Sequence, residues 1–272
     1  MTATGAGQGQ VYGSTHMAQG AREWVPLSPY RKNVIELMRL SRTVPLVTAE
    51  RRMHLAPLAE ARQACATRPS WSALFAKAFA IVSARRPELR RAYMSYPWPH
   101  LHQAPRTIAA IVVERSIDGE KVPMFFHLRT PEEATLLDLD ARLRRAATMP
   151  IEEFPKFRRM HSIGRAPALI RSALWRTAYH LSGKTRVREF GTFGLSSPAA
   201  SGAGLATIIS PLTCTLHNGL LDESGRIEMR LTFDHRVIDG APVARALADM
   251  EQTLLAAIAS EVREIGGSER AV

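Results

Sequence analysis

The clearest pattern of apolar and polar positions lies in the C-terminal third of the chain. Apolar side chains occupy every second position from Ile227 to Phe233, and polar side chains occupy the positions between them. A period of two predicts a half-buried strand, which ends just before His235. Asp239 follows as a candidate N-cap of a final helix. The buried stripe of that helix is predicted from apolar residues at helical spacing, namely Val243, Leu247, Met250, Leu254 and Ile258.

Helices are predicted at four further places. Ser28 followed by Pro29 is a helix-start signal, and Ser70 opens a second helix that stops near Pro87. Residues 131–145 and residues 166–181 also have helical spacing of their apolar side chains.

Strands are predicted at residues 107–114, 122–128 and 205–221. Asp118-Gly119 is a turn signal between the first two strands, so we expect a hairpin there. Helical and strand patterns alternate along the chain, which predicts one α/β domain over residues 26–265. Residues 1–25, rich in Gly, Ala and Gln, are expected to be a disordered tail, and residues 266–272 a short C-terminal tail.

Composition limits the class of protein. The chain has 272 residues, of which 46% are hydrophobic, enough to bury one large core. No apolar run approaches the roughly 18 residues of a membrane span, and the N-terminus lacks the apolar core of a secretory signal. The two cysteines lie far apart and no Cys/His cluster has zinc spacing, so we expect a cytoplasmic protein without a metal.

Positive charge is concentrated in one segment. The net charge is +11, and residues 142–188 contain twelve Lys and Arg against two Glu, a local charge of +10. Such a segment attracts an anionic partner, or it is a solvated basic face. We consider nucleic acid unlikely as that partner, because neither an aromatic-rich single-strand motif nor a recognition helix is present.

The helix predicted at residues 166–181 allows two interpretations. It carries an apolar stripe, nearby aromatic side chains and basic residues, which is typical of helices that lie in a membrane interface. The alternative is a helix that packs on its own domain or on a neighbouring subunit. The residues concerned are Leu169, Ile170, Ala173, Leu174, Ala178 and Leu181, with Trp175 and Tyr179, and with Arg165, Arg171, Arg176 and Lys184.

His235 is the strongest candidate for chemistry. It follows a predicted strand and precedes a predicted helix, a junction where a rigid scaffold can present a side chain. A neutral histidine accepts a proton near neutral pH, so it suits the role of general base. The alternative for an isolated histidine is a core residue bonded to a backbone carbonyl.

The residues from Asp234 to Ala241, Asp-His-Arg-Val-Ile-Asp-Gly-Ala, resemble a family signature. It is the signature of the dihydrolipoyl acyltransferase catalytic domain of 2-oxo acid dehydrogenase complexes, and it contains the shorter His-x-x-x-Asp-Gly pattern of chloramphenicol acetyltransferase. Further likeness occurs in the same order as in the family. It is found at residues 26–32, 43–48, 191–197 and 208–211.

The resemblance implies a fold and a mechanism. The fold would be the chloramphenicol acetyltransferase-like mixed sheet flanked by helices. His235 would be the general base, Ser196 the hydrogen-bond donor to the oxyanion, and Asp239 the acidic or amide residue of the signature, while Arg31 would pair with Asp239 and support the site. Because Ser197 is adjacent to Ser196, the register of the donor stays open by one residue.

The resemblance also implies partners. Family members are homotrimers or larger assemblies of trimers in which His and Ser meet across subunits, and they use acyl-coenzyme A as substrate. An acyl group would move by direct attack to a thiol, hydroxyl or amine of a small acceptor. The alternatives are a non-catalytic, cage-forming core and an acyltransferase that receives a lipoyl protein in trans.

Two features depart from the family. Residues 1–25 are too short and polar for a lipoyl domain or a subunit-binding domain, so we expect no lipoyl group on this chain. Residues 150–188 form a basic insert where the family has a short connection. Both departures suggest an acceptor other than the usual lipoamide. Residues 156–188 are predicted to form an acceptor-side or surface-docking element, with anionic lipid as the docking surface and peripheral localisation at the membrane.

Overall fold

The computed structural model describes residues 24–117, 119–197 and 202–270. Its strands are β1 (Leu46–His54), β2 (Arg91–Met94), β3 (His100–Gln103), β4 (Ile108–Ile117), β5 (Glu120–Arg129), β6 (Phe193–Ser196), β7 (Cys214–Asn218) and β8 (Arg226–Asp234). Its helices are α1 (Pro29–Ser41), α2 (Ala56–Gln63), α3 (Trp71–Arg85), α4 (Leu136–Thr148), α5 (Pro155–Arg165), α6 (Ala168–His180), α7 (Gly183–Phe190), α8 (Gly240–Thr253) and α9 (Ala259–Arg270).

Six of the strands form one mixed sheet in the order β1-β8-β7-β6-β4-β5. β8 is antiparallel to both of its neighbours, β6 is parallel to β7 and β4, and β5 closes the sheet as a hairpin with β4. β2 and β3 form a separate antiparallel pair. The predicted fold class, a mixed sheet flanked by helices in one domain, is confirmed.

One face of the sheet carries the main core. The apolar side chains of β8, predicted from their alternation, are buried there against α3 and α8. The predicted stripe of the C-terminal helix is buried in the same cluster, and α8 continues through one π-turn, Leu254–Ile258, into α9. No helix in the described ranges is long and apolar enough to cross a lipid bilayer.

The opposite face is covered by α1 together with the helices of the basic insert. Trp175 and Tyr179 of α6 are buried against Leu37 and Leu40 of α1. Asn33 of α1 links the layer, because its side chain donates to the Met160 carbonyl at 2.6 Å and accepts from Trp175 Nε1 at 3.2 Å. The insert is therefore part of the folded domain, as the packing interpretation of its central helix predicted.

Gly164 sets the closeness of α5 to α1. A Cβ atom at this position would lie 2.1 Å from the backbone oxygen of Pro29. Any larger residue would force the two helices apart, because no L-residue side chain fits at that distance.

Several predicted boundaries differ from the structure. The predicted strand at residues 205–221 is a strand only over β7, and the residues before it form irregular structure against Gly219 and Arg230. The predicted helix at 131–145 begins with a short 3₁₀ turn and becomes α-helical only at Leu136. α9 continues to Arg270, past the predicted domain boundary at residue 265. Asp118 and residues 1–23 lie outside the described residues.

Arg171 was predicted to supply surface charge, and the structure corrects this. Its side chain is buried on α6, where Nε lies 3.3 Å from Glu36 Oε1 and Nη1 donates to the Ala166 carbonyl at 3.0 Å. Glu36 is 2% exposed, so its carboxylate depends on arginine partners for compensation.

Two arginines of α6 provide a matched test of this ion pair. We expect Arg171→Leu to lower the free energy of unfolding by about 2 kcal/mol, because the buried Glu36 carboxylate then keeps only Arg39, at 2.9 Å, as a charge partner. Arg176→Leu removes an exposed arginine of the same helix and should change it by less than about 0.5 kcal/mol. Denaturant unfolding measures both, and equal effects would contradict the role assigned to the pair.

Candidate active site

His235 lies at the end of β8, where the chain leaves the sheet. Its backbone N–H donates to the Pro45 carbonyl at 3.1 Å, which holds the start of this turn against the residue preceding β1. Its imidazole is about half exposed, and Nδ1 lies 3.3 Å from Asp239 Oδ1. The ring thus faces solvent rather than a core carbonyl, so the core-histidine alternative is wrong for this chain.

Asp239 holds the N-cap position of α8, but its side chain makes no capping hydrogen bond. The predicted capping role is therefore wrong, because the carboxylate is turned towards His235 instead. A carboxylate beside Nδ1 can accept a hydrogen bond from Nδ1–H. This favours the tautomer in which Nε2 is unprotonated and can accept a proton.

The turn that carries His235 is fixed by its neighbours. Asp234 is fully buried, and it accepts hydrogen bonds from the Arg236 guanidinium at 2.9 and 2.8 Å. The Arg236 guanidinium also lies 4.4 Å from the ring centroid of Tyr93. A bidentate pair at a buried carboxylate limits rotation of the segment on both sides of His235.

Ser196 is the last residue of β6 and is 8% exposed. Phe193 and Leu195 of the same strand belong to the main core, so Gly194 and Ser196 face the opposite side of the sheet, towards α1. Ser197 has already left the strand. The strand register therefore places Ser196, and not Ser197, on the wall of the cavity described below.

His235 and Ser196 are not brought together within one chain. Ser196 pairs with His217, and His217 pairs with Arg230, five residues before His235 on an antiparallel strand. Two strand spacings and five residues along the strands correspond to roughly 15–20 Å. The two residues lie near opposite ends of the sheet.

Arg31 does not pair with Asp239 within the chain, which corrects the predicted ion pair. Its Nη2 lies 3.6 Å from Glu120 Oε1, at the start of β5. The reason is again the strand direction, because the β4–β5 hairpin and Asp239 lie at opposite ends of the sheet.

The fold was compared with solved structures. A probable dihydrolipoamide acetyltransferase from Listeria monocytogenes superposes with a TM-score of 0.62 at 15% identity, covering 90% of this chain and 96% of that one. The dihydrolipoamide acetyltransferase of Azotobacter vinelandii, in which the catalytic roles of a serine, a histidine and an asparagine were investigated, gives 0.59 at 17% identity, covering 94% and 100%. A truncated catalytic core of the 2-oxoacid dehydrogenase multienzyme complex from Thermoplasma acidophilum gives 0.59 at 16% identity, covering 85% and 97%.

This chain has the fold of a dihydrolipoamide acetyltransferase catalytic core. The resemblance predicted from the segment around His235 is thereby confirmed at the level of the fold. No protein-family model and no curated protein sequence matches the chain.

On this acetyltransferase-core fold, a cavity of about 310 Å³ lies between the sheet and the helices α1, α5 and α6. Most of its wall is apolar, and Ser196 belongs to it. Leu174 and Ile209 also line it and are about half exposed, so it opens to solvent between α6 and the segment before β7. Other apolar wall residues are Leu37, Met38, Met124, Phe125, Phe157, Met160, Trp175 and Phe190.

A cationic group lines this apolar cavity. Lys156 Nζ donates to the Glu189 carbonyl oxygen at 2.7 Å and lies 3.0 Å from both ring nitrogens of His127. Burial lowers the pKa of Lys156 to about 7, while burial and the adjacent Lys156 lower the pKa of His127 to about 3. The imidazole is therefore neutral, and the lysine titrates near neutral pH.

Sequence reasoning missed Lys156 and His127 as members of a site. They come from α5 and β5, and nothing in the spacing between them indicates a contact. The only sequence signal is that His127 shares a strand face with Phe125, which a period of two predicts.

The basic insert keeps less free charge than its sequence suggests. Three of its basic residues are ion-paired within the chain, namely Arg159, Arg171 and Arg188. Arg186 is buried, where it donates to the Pro211 carbonyl and to the Tyr179 hydroxyl. Within the described ranges, no group of three or more His, Cys, Asp or Glu side chains could hold a metal ion.

Proposed function

We propose that this protein is an acyltransferase that moves an acyl group from the thioester of acyl-coenzyme A to a diffusible acceptor. The observation that carries this proposal is the combination of an acetyltransferase-core fold with an exposed His235 held beside Asp239 and a Ser196 hydroxyl on a cavity wall. A non-catalytic core would require neither the side-chain positions nor the cavity.

The residues have defined roles in this reaction. His235 removes the proton from the thiol, hydroxyl or amine of the acceptor, whose heteroatom then attacks the thioester carbonyl carbon. The negative charge that develops on the carbonyl oxygen accepts a hydrogen bond from Ser196. When the carbon–sulfur bond breaks, the coenzyme A thiolate takes the proton from the His235 imidazolium, and His235 is neutral again.

This mechanism requires two copies of the chain. His235 and Ser196 lie roughly 15–20 Å apart in one chain, whereas both must contact the same reacting centre. A cyclic assembly can place the His235 end of one copy against the Ser196 end of the next. The assembly that we propose is the homotrimer implied by the family resemblance, with Arg31 at the Ser196 end of each chain.

Ser196 and Ser197 form a matched pair for testing the oxyanion role. We expect Ser196→Ala to lower turnover by about 10² or more, because one donor to the tetrahedral intermediate is lost. Ser197→Ala should remain close to the unmodified protein, since Ser197 lies beyond β6 and outside the cavity wall. Release of free thiol from acetyl-coenzyme A with a thiol acceptor measures both; a larger loss in Ser197→Ala would overturn the assignment.

The function as a whole is tested by mixing two inactive variants. We expect His235→Ala alone to abolish transfer with little change in melting temperature, because the ring is half exposed. When His235→Ala and Ser196→Ala chains are coexpressed, random mixing leaves roughly a quarter of the interfaces with both unmodified groups. The thiol-release assay on purified mixed oligomers should then recover activity.

The outcomes of this experiment are distinct. Unmodified turnover in His235→Ala would show that the reaction does not use this base. Inactive mixtures whose oligomers contain both chains, verified by mass spectrometry, would contradict the shared site.

The surface around α6 supports docking on an anionic membrane as a way to supply the acceptor. Leu169, Ile170, Leu174 and Leu181 are exposed there, and Arg165, Arg176 and Lys184 provide positive charge around them. Apolar and basic side chains on one surface suit the interface of an anionic bilayer.

Vesicle flotation tests this docking. We expect binding to anionic but not to neutral vesicles, weakened by salt and by Arg165→Glu with Arg176→Glu. The matched control is Arg245→Glu with Arg263→Glu, two exposed arginines on the helices of the other layer. Absence of vesicle binding together with efficient acylation of a free lipoyl domain would favour a lipoyl protein supplied in trans.

A further inference from the structure

The cavity beside Ser196 combines an apolar wall with an uncompensated positive charge. We infer that it binds an acceptor with an apolar body and a single carboxylate, and that this carboxylate pairs with the ammonium group of Lys156. The inference rests on the proposed function only in naming the occupant as the acceptor. Binding of an apolar carboxylate to the cavity does not depend on catalysis.

The positive and negative charges around Lys156 do not balance. Glu189 is the only carboxylate among the cavity-lining residues, and it is already ion-paired with Arg159 and Arg188. Burial opposes its ionisation, but the hydrogen bonds from these two arginines prevail and lower its pKa. Lys156 therefore brings a positive charge that no carboxylate side chain of the cavity neutralises.

The hydrogen-bonding capacity of Lys156 points to a small anion. An ammonium group has three N–H donors. One is used by the Glu189 carbonyl, and a second is directed at the His127 ring. The remaining donor and the excess positive charge suit one carboxylate oxygen.

The volume limits the size of the apolar body. A cavity of about 310 Å³ has room for about ten groups the size of a water molecule. The wall includes Phe125, Phe157 and Phe190, which suit a short aliphatic chain or one aromatic ring. A long-chain lipid would extend through the opening between Leu174 and Ile209.

Binding should depend on pH through Lys156. The charged groups that surround its ammonium are Arg159 of α5, Arg129 of β5, and Arg188 and Glu189 of α7; His127 of β5 is neutral above its pKa of about 3. The pKa of Lys156 is about 7, so the ammonium that a carboxylate needs is present below that pH and is lost as the pH rises above it. A carboxylate ligand is already ionised throughout this range.

Octanoate, with about ten heavy atoms, and its neutral isostere octanamide are suitable probes. Isothermal titration calorimetry on the full chain should show octanoate affinity falling about tenfold per pH unit above pH 7, while octanamide affinity stays constant. Trp175 on the cavity wall gives an independent fluorescence signal for the location of binding.

Three variants identify the group responsible. Lys156→Met should weaken octanoate binding about tenfold or more at pH 6.5 and leave octanamide binding unchanged. Lys156→Arg should retain octanoate binding and lose its pH dependence, because arginine stays charged. Arg158→Met, an exposed position of the same helix outside the cavity wall, is the matched control and should behave like the unmodified chain.

The results separate this inference from the proposed function. Octanoate and octanamide binding equally, or octanoate binding in a folded Lys156→Met chain as it does in the unmodified one, would overturn the carboxylate site. His235→Ala should bind octanoate normally, because His235 does not line the cavity. Normal octanoate binding by a chain that shows no transfer from acetyl-coenzyme A to a thiol acceptor would instead contradict the function and leave the carboxylate site in place.

Discussion

The antiparallel pairing of β8 with β7 determines how this protein can work. β8 delivers His235 to one end of the sheet, and β6, parallel to β7, delivers Ser196 to the other end. Backbone hydrogen bonds along three strands fix this separation, so no side-chain rotation brings the two residues together. The roles that we propose for His235 and Ser196 therefore require a second copy of the chain to complete the site.

The second constraint comes from the layer of helices on the Ser196 side of the sheet. Asn33 bonds to both α5 and α6, and Arg171 of α6 compensates the buried carboxylate of Glu36 on α1. These polar contacts lock the insert onto α1 instead of leaving it free as a basic arm. The cavity is what remains between this layer and the sheet, and its chemistry is therefore decided by insert residues such as Lys156 and Trp175.

Folding also pairs part of the positive charge of this segment with groups inside the protein. In the sequence, the twelve basic residues of 142–188 look like one anion-attracting segment. In the fold, Arg159 and Arg188 serve Glu189, and Arg186 supports the carbonyl of Pro211. The positive charges that our proposals use thus lie at two separate places, inside the cavity at Lys156 and on the outer surface of α6 around Arg176.

The sequence by itself determined the elements whose signals are local. The alternation along β8, the cap at Ser28 and the stripe of α8 were predicted correctly, because side-chain periodicity and capping depend on neighbours a few residues away. The fold was predicted from the resemblance of the segment from Asp234 to Ala241 to a family signature, together with the likeness at residues 26–32, 43–48, 191–197 and 208–211. His235 was singled out by the same resemblance, because its strand-to-helix junction alone left the core-histidine alternative open.

Only the tertiary structure decided which side chains meet. Arg31 lies with Glu120, Arg171 with Glu36 and Lys156 with His127, and each pair joins elements that the sequence separates. Strand order and helix packing set these contacts, and neither produces a periodic pattern of side chains in a single sequence. The same physical reason explains the strand predicted at residues 205–221. Its apolar side chains were recognised, but only the sheet offered pairing partners, and it offered them only to Cys214–Asn218.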